Sequence, residues 1–320
     1  MIWRKKGLIF NPSHHKLPNN CKEFAQSPQV IVFSDFIRVY FSTRATDPSN
    51  GKYLSHIAFV DFDLRFEKVL NISSNTVIPL GGLGSFDEHG IFPINLLKED
   101  NRILAYTCGW SRRVSVSVET STGLAISNDN GLTFQKVGTG PVFTSSLNEP
   151  FLVGDSFVRK YDDIYHMWYI YGSKWLNETF KEPPARIYKI GHAISIDGYS
   201  WKKQEAVQII PDKLGVDECQ ALPTVIKIGD TYHMYFCFRQ ATDFRNNPNR
   251  AYKLGYAYSN NLQDWIRDDT NAGIDNSESG WDAEMMCYPH LFRVEDNIYL
   301  LYNGNEFGRQ GFGLAILEKN

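Results

Sequence analysis

The chain has 320 residues, a formal net charge of −3 and interspersed acidic and basic side chains, so nothing in it suggests a nucleic-acid or polybasic membrane surface. No run approaches the ~20 apolar residues of a membrane span, and the opening MIWRKKGLIFNPSHH lacks the apolar centre of a signal peptide; a soluble, cytoplasmic protein without membrane insertion is expected. Its five cysteines are scattered without CxxC spacing and are expected as free thiols, while 14% aromatic residues favour strands and supply flat platforms for sugar rings.

Taken in chain order, the first predicted strand is IWRKKGLIFNP (2–12), which has no partner close in sequence. A Glu-x4-Pro segment follows, EFAQSP (23–28), then an alternating strand IRVYFS from Ile37 and a third, SHIAFVDFDLRFEKV, that ends in a turn. The same order recurs as EHGIFP (88–93), ILAYTC from Ile103 and TGLAISNDNGLTFQKV. It returns as NEPFLVGDSFV (148–158), where the proline moves next to Glu149, followed by YHMWYIYG from Tyr165 and IGHAISIDGYSWKK. The fourth copy is ECQALP (218–223), YHMYFCF from Tyr232 and LGYAYSNNLQDWIRD; the fifth is EMMCYP (284–289), YLLYNG from Tyr299 and FGLAILEKN. Second strands start 66, 62, 67 and 67 residues apart, so one unit repeats along the whole chain.

The fifth unit stops after its third strand. The missing fourth lies at the other end, because IWRKKGLIFNP matches SWKKQEAVQIIP (200–211) in its aromatic, its basic pair and its final proline. The predicted fold is therefore an all-β five-bladed β-propeller, its last blade closed by the N-terminal strand. It forms a single domain, 1–320, with blades roughly at 23–81, 86–143, 148–211, 216–275 and 281–318 plus 2–12. The turn SNDNGLTF (127–134) reads like an Asp-box, in which the aspartate serves the turn backbone.

Blade connectivity puts the starts of the first strands and the loops after the second strands on one face. The first group brings Asp87, Glu88, Glu149, Asp217, Glu218, Glu284 and His290, and the second brings Arg44, Trp110, Trp175 and Arg239. Carboxylates, arginines and tryptophans around one funnel suit glycosyl chemistry, in which one carboxylic acid protonates a leaving oxygen and a second carboxylate acts as base or nucleophile. Glu218 or Glu149 is the expected acid and Asp87 or Glu88 its partner. Arg44, Trp110, Trp175, Asp217, Arg239, Glu284 and His290 are the expected substrate contacts. A glutamate repeated in every blade also suits a structural role, and His290 suits a hydrogen-bonded structural one. No phosphate-cradling GxxxxGK, GxSxG or HExxH motif is present, so no cofactor or metal is expected beyond an ion on the axis.

With its blade pattern and phrases such as GDTYHMYF, the chain resembles, over its whole length, the five-bladed propeller clan of glycoside hydrolase families 32, 43 and 130. The resemblance implies an axial site with carboxylates from different blades. It also places Glu149 where such enzymes carry a general-acid glutamate. Family 43 places a base aspartate directly before the first blade's proline, and this chain departs from that scheme with Ser27. The expected substrate is a carbohydrate or an activated sugar. A glycosidase or phosphorylase, a sugar-nucleotide-dependent glycosyltransferase and a non-catalytic glycan-binding propeller all remain open classes.

Overall fold

A computed structural model describes residues 1–177 and 183–318. The chain is all-β apart from single helical turns. β1 (Trp3–Phe10) comes first. There follow β2 (Glu23–Val32), β3 (Ile37–Thr46), β4 (Tyr53–Phe62) and β5 (Val69–Ile72), then β6 (Gly90–Lys98), β7 (Ile103–Arg112), β8 (Val118–Ser127) and β9 (Gln135–Lys136). The third group is β10 (Val153–Tyr161), β11 (Ile164–Leu176), β12 (Ala185–Ser195) and β13 (Lys202–Lys203), and the fourth is β14 (Glu218–Ile228), β15 (Thr231–Gln240), β16 (Lys253–Ser259) and β17 (Ile266–Arg267). β18 (Cys287–Val294), β19 (Asn297–Asn303) and β20 (Phe312–Leu317) complete the order.

Neighbouring strands within each group pair antiparallel. The first two groups are joined into one sheet only by the parallel pair Ser55 and Gly90. β1 pairs antiparallel with β20, from Trp3 opposite Leu317 to Phe10 opposite Phe312, giving a sheet in the order β1, β20, β19, β18.

Each sheet is covered on both faces, so its second strand is buried almost throughout rather than at alternate residues. Ile37 to Phe41 and Tyr232 to Phe238 show the pattern, with Tyr40, Phe41, Tyr235 and Phe236 fully buried. The apolar clusters lie between adjacent sheets: Phe10, Phe41, Phe62 and Phe312 fill one gap, and Leu104, Tyr106, Val153 and Tyr169 another. All five cysteines are buried and unbridged.

The first strands of the groups touch one another in turn, β2 to β6, β6 to β10, β10 to β14, β14 to β18 and β18 to β2. Side chains just after the repeated prolines stitch these contacts. Asn95 donates to the Gln29 side chain at 3.0 Å and accepts from the Val158 N–H at 2.8 Å; Thr224 accepts from the Leu291 N–H at 2.9 Å. His290 accepts from the Val30 N–H through Nε2 at 3.1 Å. Each side chain thereby satisfies a buried polar group of its neighbour.

The turns between third and fourth strands share one device. The Ser127, Ser195 and Ser259 hydroxyls accept from the N–H groups of Gly131, Gly198 and Leu262. Asp129, Asp197 and Asn261 accept further N–H groups, at 2.7 Å for both Tyr199 and Ser200 on Asp197. Those backbone bonds, first that of Ser200, hold the Asp197 carboxyl down at about 2.

Candidate active site

Four acidic residues at the starts of first strands are clamped by a base from the outer strand of the same group. Lys136 Nζ lies 2.5 Å from Asp87, Lys203 Nζ 2.8 Å from Glu149, Arg267 Nη1 2.6 Å from Glu218 and Lys5 Nζ 2.8 Å from Asp282. The bases stand two residues after Phe134, Trp201, Trp265 and Trp3, so an aromatic-x-base triplet supplies each outer strand with a core anchor and a cation. All four carboxylates are almost fully buried. Glu149 also accepts from the Tyr169 hydroxyl and the Ala206 N–H, and Glu218 from the N–H groups of Lys213 and Leu214.

Three of these carboxylates, Asp87, Glu149 and Glu218, are among those expected from the sequence as the acid and its partner. Glu218, Glu149 and Asp87 do not line the central cavity; they tie the outer strand of each sheet to its inner one, and the oxygens of Glu218 and Glu149 are taken by protein donors. Glu88 accepts from the Gly84 N–H and lines a separate polar groove with Arg112 and Arg113. Asp217 and Trp175 also lie outside the lining of the central cavity. His290 is buried among the first strands, stacked on Phe292 and edge-on to Phe157. Burial, reinforced by Arg159, pushes its pKa well below the usual histidine value, and it lies outside the lining of the central cavity. Among the described residues no group of three His, Cys, Asp or Glu side chains could hold a metal ion.

The central cavity has a volume of about 570 Å³, enough for a small sugar-sized ligand. Arg44, Trp110, Arg239 and Glu284, all expected from the sequence, line it together. Arg44 comes from the end of β3, Trp110 from β7 and Arg239 from β15, where second strands climb to the same face. Arg186, Arg245, Arg309, Glu306 and Asp155 join them. The wall between is aromatic, with Phe24, Tyr53, Tyr188, Phe244, Tyr252 and Phe307.

Asp155 is the carboxylate that the sequence reading passed over. It sits on β10 at a bulge, with φ of 50°, matching Ser27 at 51°, Leu222 at 49° and Tyr288 at 57° on the equivalent bulges of β2, β14 and β18. Each stands ten or eleven residues before the start of its second strand, a spacing present in the sequence. The third repeat has Ser156 where the others have proline, so alignment on Glu-x4-Pro hid the equivalence and drew Glu149 into the place of Asp155.

Asp155 is 9% exposed. Burial raises its pKa to about 7, against the opposing pull of Arg186 and a hydrogen bond from the Leu222 backbone. A carboxyl poised near neutrality can both give and take a proton in water.

The arginines are held by ring faces as much as by acceptors. The Arg239 carbon Cζ lies 3.5 Å from the Phe244 ring centroid and that of Arg245 4.4 Å from the same ring. Arg44 lies 4.3 Å from the Phe24 centroid. Such contacts stabilise weakly hydrated guanidiniums without a carboxylate. Arg309 alone of the lining arginines is paired among the described residues, with Glu23 and Glu306 at 3.1 Å each.

No known family profile matches the chain. Two proteins of Mycobacterium tuberculosis, Uncharacterized protein MT1551 of strain CDC 1551 / Oshkosh and Uncharacterized protein Rv1502 of strain ATCC 25618 / H37Rv, are each 33% identical over 321 residues, covering 99% of this chain and 100% of theirs. Among solved structures, a glycoside hydrolase superposes with a TM-score of 0.73 at 15% identity over 99% of this chain and 92% of that one. A thermostable family-43 glycoside hydrolase gives 0.65 at 14% over 95% and 94%, and the endo-arabinase of Bacteroides thetaiotaomicron 0.62 at 12% over 98% and 99%. The likeness at these identities is one of fold.

Proposed function

Since the chain belongs to the family of the mycobacterial proteins MT1551 and Rv1502 and has the fold of the propeller glycosidase clan, we propose that it is a carbohydrate-active enzyme. It cleaves or transfers a glycosyl unit in the central cavity, with Asp155 as the group that moves the proton. The strand groups are read as five blades of one propeller domain, the last completed by β1, so the cavity is the mouth of the axial funnel. The cellular location expected for this enzyme is the cytoplasm.

The observation that carries the reading is Asp155 itself, a buried carboxyl held near pH 7 in the wall of a cavity faced with aromatic rings and guanidiniums. At neutral pH part of the population is protonated and can donate to a leaving glycosidic oxygen. Glu284, also on the lining and exposed at its mouth, is the partner carboxylate that receives a proton from the attacking hydroxyl. Trp110 and Tyr53 offer apolar faces to the sugar ring. Ser27 and Leu222, at the bulges equivalent to Asp155, carry no ionisable group, so the partner carboxylate comes from elsewhere on the lining.

The test is a turnover screen across nitrophenyl glycosides, oligosaccharides and activated sugars, followed by Asp155→Asn. Turnover of any substrate found should fall by roughly 10²–10⁴-fold. An unchanged rate in Asp155→Asn would remove the assignment.

A further inference from the structure

Outside the central cavity, Lys5, Lys136, Lys203 and Arg267 are each answered by a buried carboxylate of the same sheet. Inside it, among the described residues, Arg309 is paired, but other lining arginines are not. Arg44, Arg239 and Arg245 form no ion pair among the described residues. Arg239 is 3% exposed; it donates to the carbonyls of Gln240 and Ala241 and to the Tyr188 hydroxyl, and its buried Nε has no acceptor. Arg44 has only the Gln26 side-chain oxygen, at 3.1 Å. The three are close enough to disturb one another: Arg245 is lowered first by desolvation and then by Arg239, and Arg44 by burial and then by Arg245.

Like charges gathered in one void, with a buried donor left open, form a site whose counter-charge is brought by a ligand. A single carboxylate engages one guanidinium fork and leaves the others unanswered. A phosphoryl group presents three terminal oxygens and up to two charges, and a diphosphate presents more.

We propose that the cavity takes a phosphorylated sugar, a sugar phosphate or sugar diphosphate, with its phosphoryl oxygens on Arg44, Arg239 and Arg245. The sugar half of this assignment rests on the glycosyl-enzyme reading; the phosphoryl half stands on the unpaired arginines.

The experiment is calorimetric and thermal-shift titration of the full chain with pyrophosphate, glucose 1-phosphate, a nucleoside diphosphate glucose, glucuronate and glucose. The phosphorylated probes should bind and raise the melting temperature, with affinity falling as salt rises, and glucose and glucuronate should bind at least 10-fold more weakly. Arg245→Ala, which removes one guanidinium, and Arg44→Lys, which keeps charge but loses the fork, should each weaken the phosphorylated probes 10-fold or more. Absence of phosphate binding, glucuronate binding as tight as the phosphorylated probes, or unaltered affinity in both variants would overturn the proposal. Asp155→Asn separates the two readings, since it should keep phosphate binding and lose turnover. If phosphorylated probes bind but turnover ignores Asp155, only the enzyme reading falls. If Asp155-dependent turnover is found on neutral glycosides without phosphate binding, only the phosphoryl site falls.

Discussion

Arg267 Nη1 meets Glu218 Oε1 at 2.6 Å, with the two side chains 6% and 0% exposed. Removing the arginine leaves the Glu218 charge buried without its counter-ion, although the Lys213 and Leu214 N–H groups still reach it, at a cost of ~3–5 kcal/mol. Arg267→Ala should lower the stability of the chain by about that amount in urea denaturation. A loss below ~1 kcal/mol would show that water replaces the guanidinium without strain.

Glu149 is the sharper test of the same idea, because the resemblance to family 43 gave it a catalytic role. Its carboxylate receives Lys203, the Tyr169 hydroxyl and the Ala206 N–H. Glu149→Gln should destabilise by ~1–3 kcal/mol through imperfect pairing with Lys203, yet keep turnover per folded molecule within about 3-fold of the parent. A 100-fold fall in kcat with unchanged melting would return Glu149 to the chemistry.

Asp155 ties stability to pH with a definite sign. Its folded pKa of about 7 lies above that of an unfolded aspartate, so between the two values the native state holds more protons and stability falls as pH rises. The contribution approaches about 1.4 kcal/mol per pH unit and levels off above neutrality. Asp155→Asn should therefore be more stable than the parent at pH 8 and similar to it at pH 4. Denaturation midpoints across that range measure the difference; a variant less stable at pH 8 would contradict the raised pKa.

His290 acts in the opposite direction. Its folded pKa lies well below the unfolded one, so the unfolded chain takes up protons first and stability is lost as pH drops below about 6.5. His290→Gln, which preserves an acceptor for the Val30 N–H, should flatten that acid limb. An equally steep limb in the variant would assign acid sensitivity elsewhere, the stacked pair His166 and His192 being the next candidates.

Gly90 is packed under the Trp110 indole, where an added Cβ would come within 2.3 Å of Nε1. Gly90→Ala should force the indole to move, at ~1–3 kcal/mol of stability, and weaken any ligand that stacks on Trp110. Ligand titration beside urea denaturation distinguishes the two effects, and intact affinity would remove Trp110 from the ligand's surroundings.

The repeat made the all-β architecture legible, because five copies of one strand pattern leave few alternatives, and the match of residues 2–12 to 200–211 anticipated the pairing of β1 with β20. Convergence of Arg44, Trp110, Arg239 and Glu284 was legible too, since connectivity alone decides which loops share a face. Roles within the repeat were not. Asp87, Glu149 and Glu218 look like an active site in sequence because the partner bases lie about fifty residues downstream in the short outer strands. Asp155 lacks the following proline that marks the equivalent positions, and its environment comes from a bulge and from Arg186 on another strand of the same sheet. Arg245 belongs to an irregular loop, and only folding brings it and its neighbour Phe244 beside Arg239.

The pairing of β1 with β20 also governs the protein's birth. All of residues 11–311 must be synthesised between the two strands, which at ordinary elongation rates leaves β1 without its partner for ~15–60 s. During that interval β1, carrying Trp3 and Phe10, waits with an open edge, and β20 of a second nascent chain offers it the same ladder. Exchange of that strand between two copies would be closed by the same ladder that closes one, so the pairing that completes the sheet is also the one open to swapping.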